Sequence, residues 1–264
     1  MPLEKNLNTD NLLKAIKVAK SAALIILENG GETYRAEETV YKICETFGFE
    51  EIDVLAIPTG VFITVKDGEM TQSSVKRVKK RTVNLMKLYS VNNISRAVVS
   101  GDMTLEQAQE QLDKLNIGNK KKKLIPCIAA GFSAGFFTLL FGGVLIDFIL
   151  SFICGIFVQL LSMSFKRIDM FHFVISLLGG VLVAFIAVMG TSIFNIGNID
   201  KIVIGAIMPL LPGLAMTNAI RDTMTGDLVS GTARFTEALL VAIALATGVG
   251  IILSLYYAFG GTVS

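Results

Sequence analysis

Apolar positions recur every three or four residues through the first part of the chain and give way, near residue 120, to almost unbroken apolar runs. In the first part Leu12, Ile16, Ala19, Ala23 and Ile26 fall on one helical stripe. Asn8, Thr9 or Asp10 can cap that helix, and Gly30-Gly31 can end it in a left-handed residue. A second helix is predicted from about Tyr34 to Phe47, with Ala36, Val40, Ile43, Cys44 and Phe47 on its apolar side and Gly48 after it. From Ile52 to Val65 β-branched residues accumulate around an interruption at Pro58-Thr59-Gly60, and Asp67-Gly68 offers a tight turn before Thr71 to Val78. A small β-hairpin is the expected product. Helical spacing returns at about Thr82 to Ser100, and Thr104 with Gln107 makes a capping box for a helix through Leu115. Residues 1–119 thus read as a small α+β domain.

Residues 120–264 follow another rule. Lys120 to Lys123 abut an apolar stretch, the flank expected at the cytoplasmic end of a membrane helix. Crossing a bilayer takes roughly 20 apolar residues, and the segments that qualify are about 124–141, 144–165, 171–191, 202–220 and 235–259. Gly142-Gly143 is a turn short enough to make the first two an antiparallel hairpin. Lys166 and Arg167 fall in one connection, Arg221 and Arg234 in another on the same side, and Lys201 with Asp200 on the other. The positive-inside bias places the N-terminus in the cytoplasm and the C-terminus outside. Met1 to Asp10 lacks the short apolar core of a secretory signal, which points the same way. The expected architecture is an integral membrane α-helical bundle of about five transmembrane helices, preceded by a small α+β cytoplasmic domain with a β-hairpin.

Composition narrows the chemistry. A mean hydropathy of +0.62 requires lipid as part of the solvent. The net charge of +2 is spread over a mixed-sign first half and a sparsely charged second half, so no basic nucleic-acid face is indicated. His172 is the sole histidine, which excludes a histidine-rich metal cluster and a Ser-His-Asp triad. Cys44, Cys127 and Cys154 share no close spacing and read as packing residues. No metal and no cofactor is implied.

The most informative local feature of the apolar half is Met208-Pro-Leu-Leu-Pro-Gly213. Pro209 and Pro212 each remove a backbone donor and obstruct the preceding turn, so the fourth crossing should be kinked or broken. A half-helix restarting near Gly213 would aim a positive dipole end suited to a carboxylate, whereas the bland alternative is a packing kink. Polar residues follow directly. Asn218, Arg221 and Glu237 read as lining residues, with arginine for a carboxylate and the other two for hydroxyl, amine or proton. Asp222 and Asp227 can solvate a loop or cap a helix, and Arg221 and Arg234 can also act simply as topology anchors. Asp147, near the outer end of the second crossing, is a candidate for proton coupling or for snorkelling to water, and His172 for an interface residue. Gly131 and Gly135 form a small-xxx-small pair suited to close helix packing.

Several separated motifs occur in order: Gly30-Gly-Glu-Thr-Tyr-Arg-Ala-Glu-Glu38, Pro58-Thr-Gly-Val-Phe62, Pro212-Gly213 through Asn218-Ala-Ile-Arg-Asp222, and Gly226-Asp227. On these the chain resembles the threonine/serine exporter family, over nearly everything from about Ile16 to the last helix. In that family the soluble module precedes a ten-helix membrane region, in one chain or split between two proteins. This chain resembles the first half alone. The resemblance implies export of threonine and serine, or of dicarboxylates such as succinate as in split relatives, across the bacterial cytoplasmic membrane. It also implies a second membrane subunit carrying the other five helices, which the odd number of crossings and the single broken helix support. A homo-oligomer is the other arrangement open to it. The membrane signature falls on Pro212, Gly213, Asn218, Arg221, Asp222 and Asp227. The soluble signature falls on Gly31, Glu32, Thr33, Arg35 and Glu38, where Glu32, Thr33, Arg35 and Glu38 could form a cytoplasmic gate. Capping and dipole effects of a glycine-ended helix and an acid-rich first turn also account for Gly31, Glu32 and Glu37.

Two other classes compete with an exporter. A membrane-anchored hydrolase would use Thr33, Glu32, Glu38 or Thr59, but no histidine lies in the first 123 residues to serve as base. A sensor whose apolar half merely anchors the soluble domain would tolerate loss of Pro209 and Pro212.

Overall fold

The computed structural model of the chain describes residues 2–68, 70–116, 124–165, 172–194 and 196–261. The lysine run at 120–123 and the charges at 166, 167 and 169 lie outside these residues, as does the side chain of His172. Two compact units emerge, one of residues 1–119 with Leu214–Phe235, the other of Lys120–Gly213 with Thr236–Ser264. The segment Leu214–Phe235, which the sequence pattern places in the apolar half, therefore groups with the first unit.

In the first unit, α1 spans Pro2–Glu28 and so begins well before the cap expected at Asn8 to Asp10. Helix α2 spans Thr33–Thr46 and buries Ala36, Val40, Ile43 and Cys44 as its periodicity requires. The β-branched region forms three strands where a hairpin was expected: β1 (Glu51–Ile57), β2 (Gly60–Asp67) and β3 (Met70–Arg77), antiparallel in the order β1-β2-β3. Pro58-Thr59 is itself a two-residue turn, with Ile57 facing Gly60, so the interruption reverses the chain where it had looked like a gap within one strand. Val61, Ile63 and Val65 alternate inward from β2 and are buried, each contributing on the order of 1.5–3 kcal/mol by leaving water. Helix α3 spans Leu85–Val99 with Asn84 accepting from the Lys87 amide at 3.3 Å, and its stripe of Val91, Ile94, Ser95 and Val98 is buried. Helix α4 spans Leu105–Asn116, and its capping box is realised: Thr104 N–H donates to Gln107 Oε1 at 3.1 Å and Gln107 N–H to Thr104 Oγ1 at 3.3 Å.

The second unit is apolar and helical. Helices α5 (Leu124–Leu140) and α6 (Leu145–Phe165) form the expected hairpin through Gly142, whose φ of +80° only glycine adopts cheaply. Gly131 and Gly135 admit the rings of Phe152 and Phe148, and a Cβ on Gly155 would come 2.5 Å from the Ala130 carbonyl oxygen. Such close approach is how helices associate where lipid removes the hydrophobic incentive. Helix α7 spans His172–Phe194. Helix α8 (Ile199–Ile207) leads into a 3₁₀ turn at Met208–Leu210, Leu211 is extended at ψ 139°, and α9 (Gly213–Met224) restarts after Pro212. The double proline therefore breaks the helix, as its chemistry demands. Helix α10 runs Leu228–Ala258, starting two turns before the expected position; α9 from Leu214 onward and α10 as far as Phe235 belong to the first unit.

Among the described residues three helices are long and apolar enough to cross a membrane, Leu145–Phe165, Phe173–Ile193 and Leu228–Ala258. Counting α8 and α9 as one broken span gives four, and α5 is apolar but shorter, at 17 residues. The chain is a multi-pass membrane protein, and its described residues form a mostly helical fold with one small sheet.

Candidate functional site

Two glycine corners build the site, both in the first unit. After α1 the chain reverses at Gly30, φ +85°, with the Gly31 amide donating to Ile26 O at 2.9 Å and the Gly30 amide to Leu27 O at 3.5 Å. This paired closure satisfies the last carbonyls of α1 and leaves those of Gly30 and Gly31 for other donors. After α9 the same device recurs at Gly226, φ +97°: its amide donates to Thr223 O at 3.2 Å and the Asp227 amide to Asp222 O at 2.8 Å. The first corner delivers Glu32 and Thr33 to the start of α2, and the second turns the chain into α10 carrying Arg234.

The corners are joined by polar contacts. Asn218 Nδ2 donates to Gly30 O at 2.9 Å, and Arg234 Nη2 to Gly31 O at 2.8 Å. Arg234 also holds Asp222, Nε to Oδ2 at 2.9 Å, in an ion pair where Asp222 is fully buried and Arg234 is 7% exposed. Thr33, also fully buried, donates its hydroxyl to Asp227 Oδ2 at 3.2 Å. Glu32 is the N-cap residue of α2 but makes no side-chain cap bond, and Thr33, the first residue of the helix, turns its hydroxyl to Asp227.

Glu32 is committed elsewhere. One oxygen pairs with Arg221 Nη1 and the other lies 3.5 Å from Arg35 Nε. The Glu32 side chain is 11% exposed, whereas Arg221 is 47% and Arg35 54% exposed. Glu37 accepts from the Ala56 amide at 2.7 Å. Burial pushes the Glu37 carboxyl up from its ordinary value; the Ala56 amide opposes this, and the Asp227 and Asp222 carboxylates reinforce it.

The structure thus gathers Asn218, Arg221 and Asp222 of one signature with Glu32, Thr33 and Arg35 of the other. Capping, the bland account of Glu32 and Glu37, does not describe what either carboxylate does. Glu38 points elsewhere, pairing with Lys42 at 2.6 Å on an exposed face. Pro212, Gly213, Glu237 and Asp147 belong to the second unit. A Cβ on Gly213 would meet nothing within 4 Å, so packing does not demand glycine there. Asp147 is buried and occupied by main chain: Oδ2 accepts from the Val144 amide at 2.9 Å and Oδ1 from the Asn198 amide at 2.8 Å. It ties the turn before α6 to the turn before α8. Arg234 and Asp227 are central although the sequence offers an anchor and a cap for them. The signal that could have raised Arg234 is its place inside α10 on the first unit's side, which becomes visible only once the helix is known to start at Leu228.

A cavity of about 260 Å³ opens on the α9–α10 hairpin beside Ala219, Ile220, Thr223, Met224 and Phe235, and neither Asn218 nor Arg221 lines it. Among the described residues no cluster of histidine, cysteine or acidic groups is placed to hold a metal ion. The arrangement offers one sealed ion pair and one half-exposed arginine whose carboxylate partner can be exchanged. A guanidinium fork suits a carboxylate better than a lysine would.

Residues 17–256 match the family described as "Putative threonine/serine exporter". The chain is 22% identical over 242 residues, 89% of its length, to a protein of Mycobacterium tuberculosis named "Probable threonine/serine exporter", of which it covers 45%. It is 26% identical over 234 residues, 83% of its length, to the "Pheromone-regulated membrane protein 10" of Zygosaccharomyces rouxii, of which it covers 23%. The chain therefore spans less than half the length of either relative. No solved structure matches it.

Proposed function

We propose that this chain, which belongs to the threonine/serine exporter family, is one subunit of a secondary exporter of threonine, serine or small dicarboxylates such as succinate. A second membrane subunit carries the remaining helices. The N-terminal unit faces the cytoplasm and the C-terminus lies outside the cytoplasmic membrane. A substrate carboxylate takes Arg221 as Glu32 releases it, and Arg35 retains Glu32 while the exchange occurs. Asn218 and Asp222 position the helix that carries Arg221, and Glu237, half-buried on α10, and Asp147 are the carboxylates for proton coupling.

The observation that carries this reading is the unequal exposure within one ion pair: Glu32 is sheltered while Arg221 is 47% exposed, on the helix that restarts after the double proline. Vesicles holding the chain with its second subunit should show counterflow of labelled threonine, serine or succinate. Absence of counterflow for all three overturns the assignment.

A further inference from the structure

The connection from β3 to α3 carries a feature that export does not use. Between Met70 and Gly101 the sequence holds seven lysines and arginines and no acid. Five of them, Lys76, Arg77, Lys79, Lys80 and Arg81, are packed into six positions at the end of β3 and just after it. Lys79, Lys80 and Lys87 surround a depression of about 390 Å³ that also takes in Glu28, Asn29 and Thr82. Three lysines against the single Glu28 carboxyl make the depression cationic on balance.

Directly after this run come large apolar side chains in water: Val83 is 60% exposed, Leu85 63%, Met86 71% and Tyr89 63%. Leu85, Met86 and Tyr89 occupy the first turns of α3 on the side opposite its buried stripe of Val91, Ile94 and Val98. A solvated helix face would carry polar residues at these positions. Lysines beside protruding aliphatic and aromatic side chains make the pattern of a segment lying in a bilayer interface.

We infer that the β3–α3 connection docks onto an anionic phospholipid surface, with Lys76, Lys79 and Lys80 against headgroup phosphates and Val83, Leu85, Met86 and Tyr89 entering the interface. Charge decides the occupant. A neutral protein partner would cover the apolar residues without needing the lysines, whereas an anionic bilayer uses both and is always within reach of a multi-pass chain. Tyr89 adds a ring of the kind that favours the headgroup level.

The test uses the full chain with a single added cysteine, Met86→Cys, labelled with an environment-sensitive dye; Cys44, Cys127 and Cys154 are buried and compete poorly for the label. The chain is reconstituted in vesicles of phosphatidylcholine alone or with added phosphatidylglycerol. Quenching by acrylamide, which is neutral and so is not repelled by the anionic surface, should be about three times weaker in the anionic vesicles, and 0.5 M salt should restore it, because salt at that strength screens charges beyond a few ångströms. Lys79→Glu with Lys80→Glu should abolish the difference between vesicles. The comparison of lipids in the chain without these charge changes stands even if the double variant folds poorly. Equal quenching in both vesicle types overturns the proposal. So does equal protection in both vesicle types and in detergent, which would point to another protein or a second copy on this face.

Discussion

The arginines of α9 and α10, Arg221 and Arg234, both reach carboxylates, and they do so under opposite conditions. Arg234 meets Asp222 where both are sealed from water, with a backbone carbonyl taking a further guanidinium donor. Arg221 meets Glu32 with half of its own surface in solvent and a second arginine competing for the same acid. A buried pair is costly to form and more costly to break, because either partner left alone is an uncompensated charge. A pair whose arginine is half in solvent is worth about 1 kcal/mol or less while Arg35 still holds the acid, and that arginine is easily exchanged. The first contact fixes the corner, and the second is free to carry traffic.

That contrast can be broken most forcefully at Arg234. Arg234→Gln should cost about 3–5 kcal/mol of stability by stranding Asp222, read as loss of monodisperse full-length protein or a lowered unfolding midpoint in detergent. A variant as stable as the parent would show that the pair is no clamp. Asn218→Ala comes next: it leaves the Gly30 carbonyl without its donor and should cost about 1–2 kcal/mol, measured the same way. Arg221→Gln should change stability by less than about 1 kcal/mol, yet lower threonine, serine or succinate counterflow by tenfold or more. Undiminished transport would remove Arg221 from the substrate path.

The smallest effect is expected at Glu37. Its folded carboxyl titrates above the ordinary value, so its ionisation works against the fold, a penalty absent below the unfolded pKa and present in full once pH passes the folded one. Glu37→Gln keeps an acceptor for the Ala56 amide and removes repulsion with Asp222 and Asp227. The unfolding midpoint should rise by about 1–2 °C at neutral pH and be unchanged near pH 4. A gain of equal size at both would trace the effect to something other than charge.

Much of the framework could be read from local chemistry. The Thr104–Gln107 box, the Gly30 helix end and the Pro209–Pro212 break each depend on residues within a turn of one another, and each is realised. The third strand was hidden because Pro58-Thr59 looks like an interruption until its partners Ile57 and Gly60 are seen to face each other. The early start of α10 was hidden because its first two turns hold Thr232 and Arg234 and fall outside any apolar window. The site itself joins residues about two hundred positions apart, Glu32 with Arg221 and Gly31 with Arg234. Arginine is equally suited to anchoring a span, and no spacing rule reveals that its partner is a main-chain oxygen.

The acceptors at the Gly30-Gly31 corner are peptide carbonyls, and their geometry comes from a left-handed backbone. No exchange of side chains at positions 30 or 31 can move those oxygens to meet an altered donor. Suppressor screens begun from a damaged Asn218 or Arg234 should therefore return revertants and second changes at Asp222, and leave both glycines untouched. Heredity at this corner is one-sided: the donors can drift only as far as a fixed peptide tolerates.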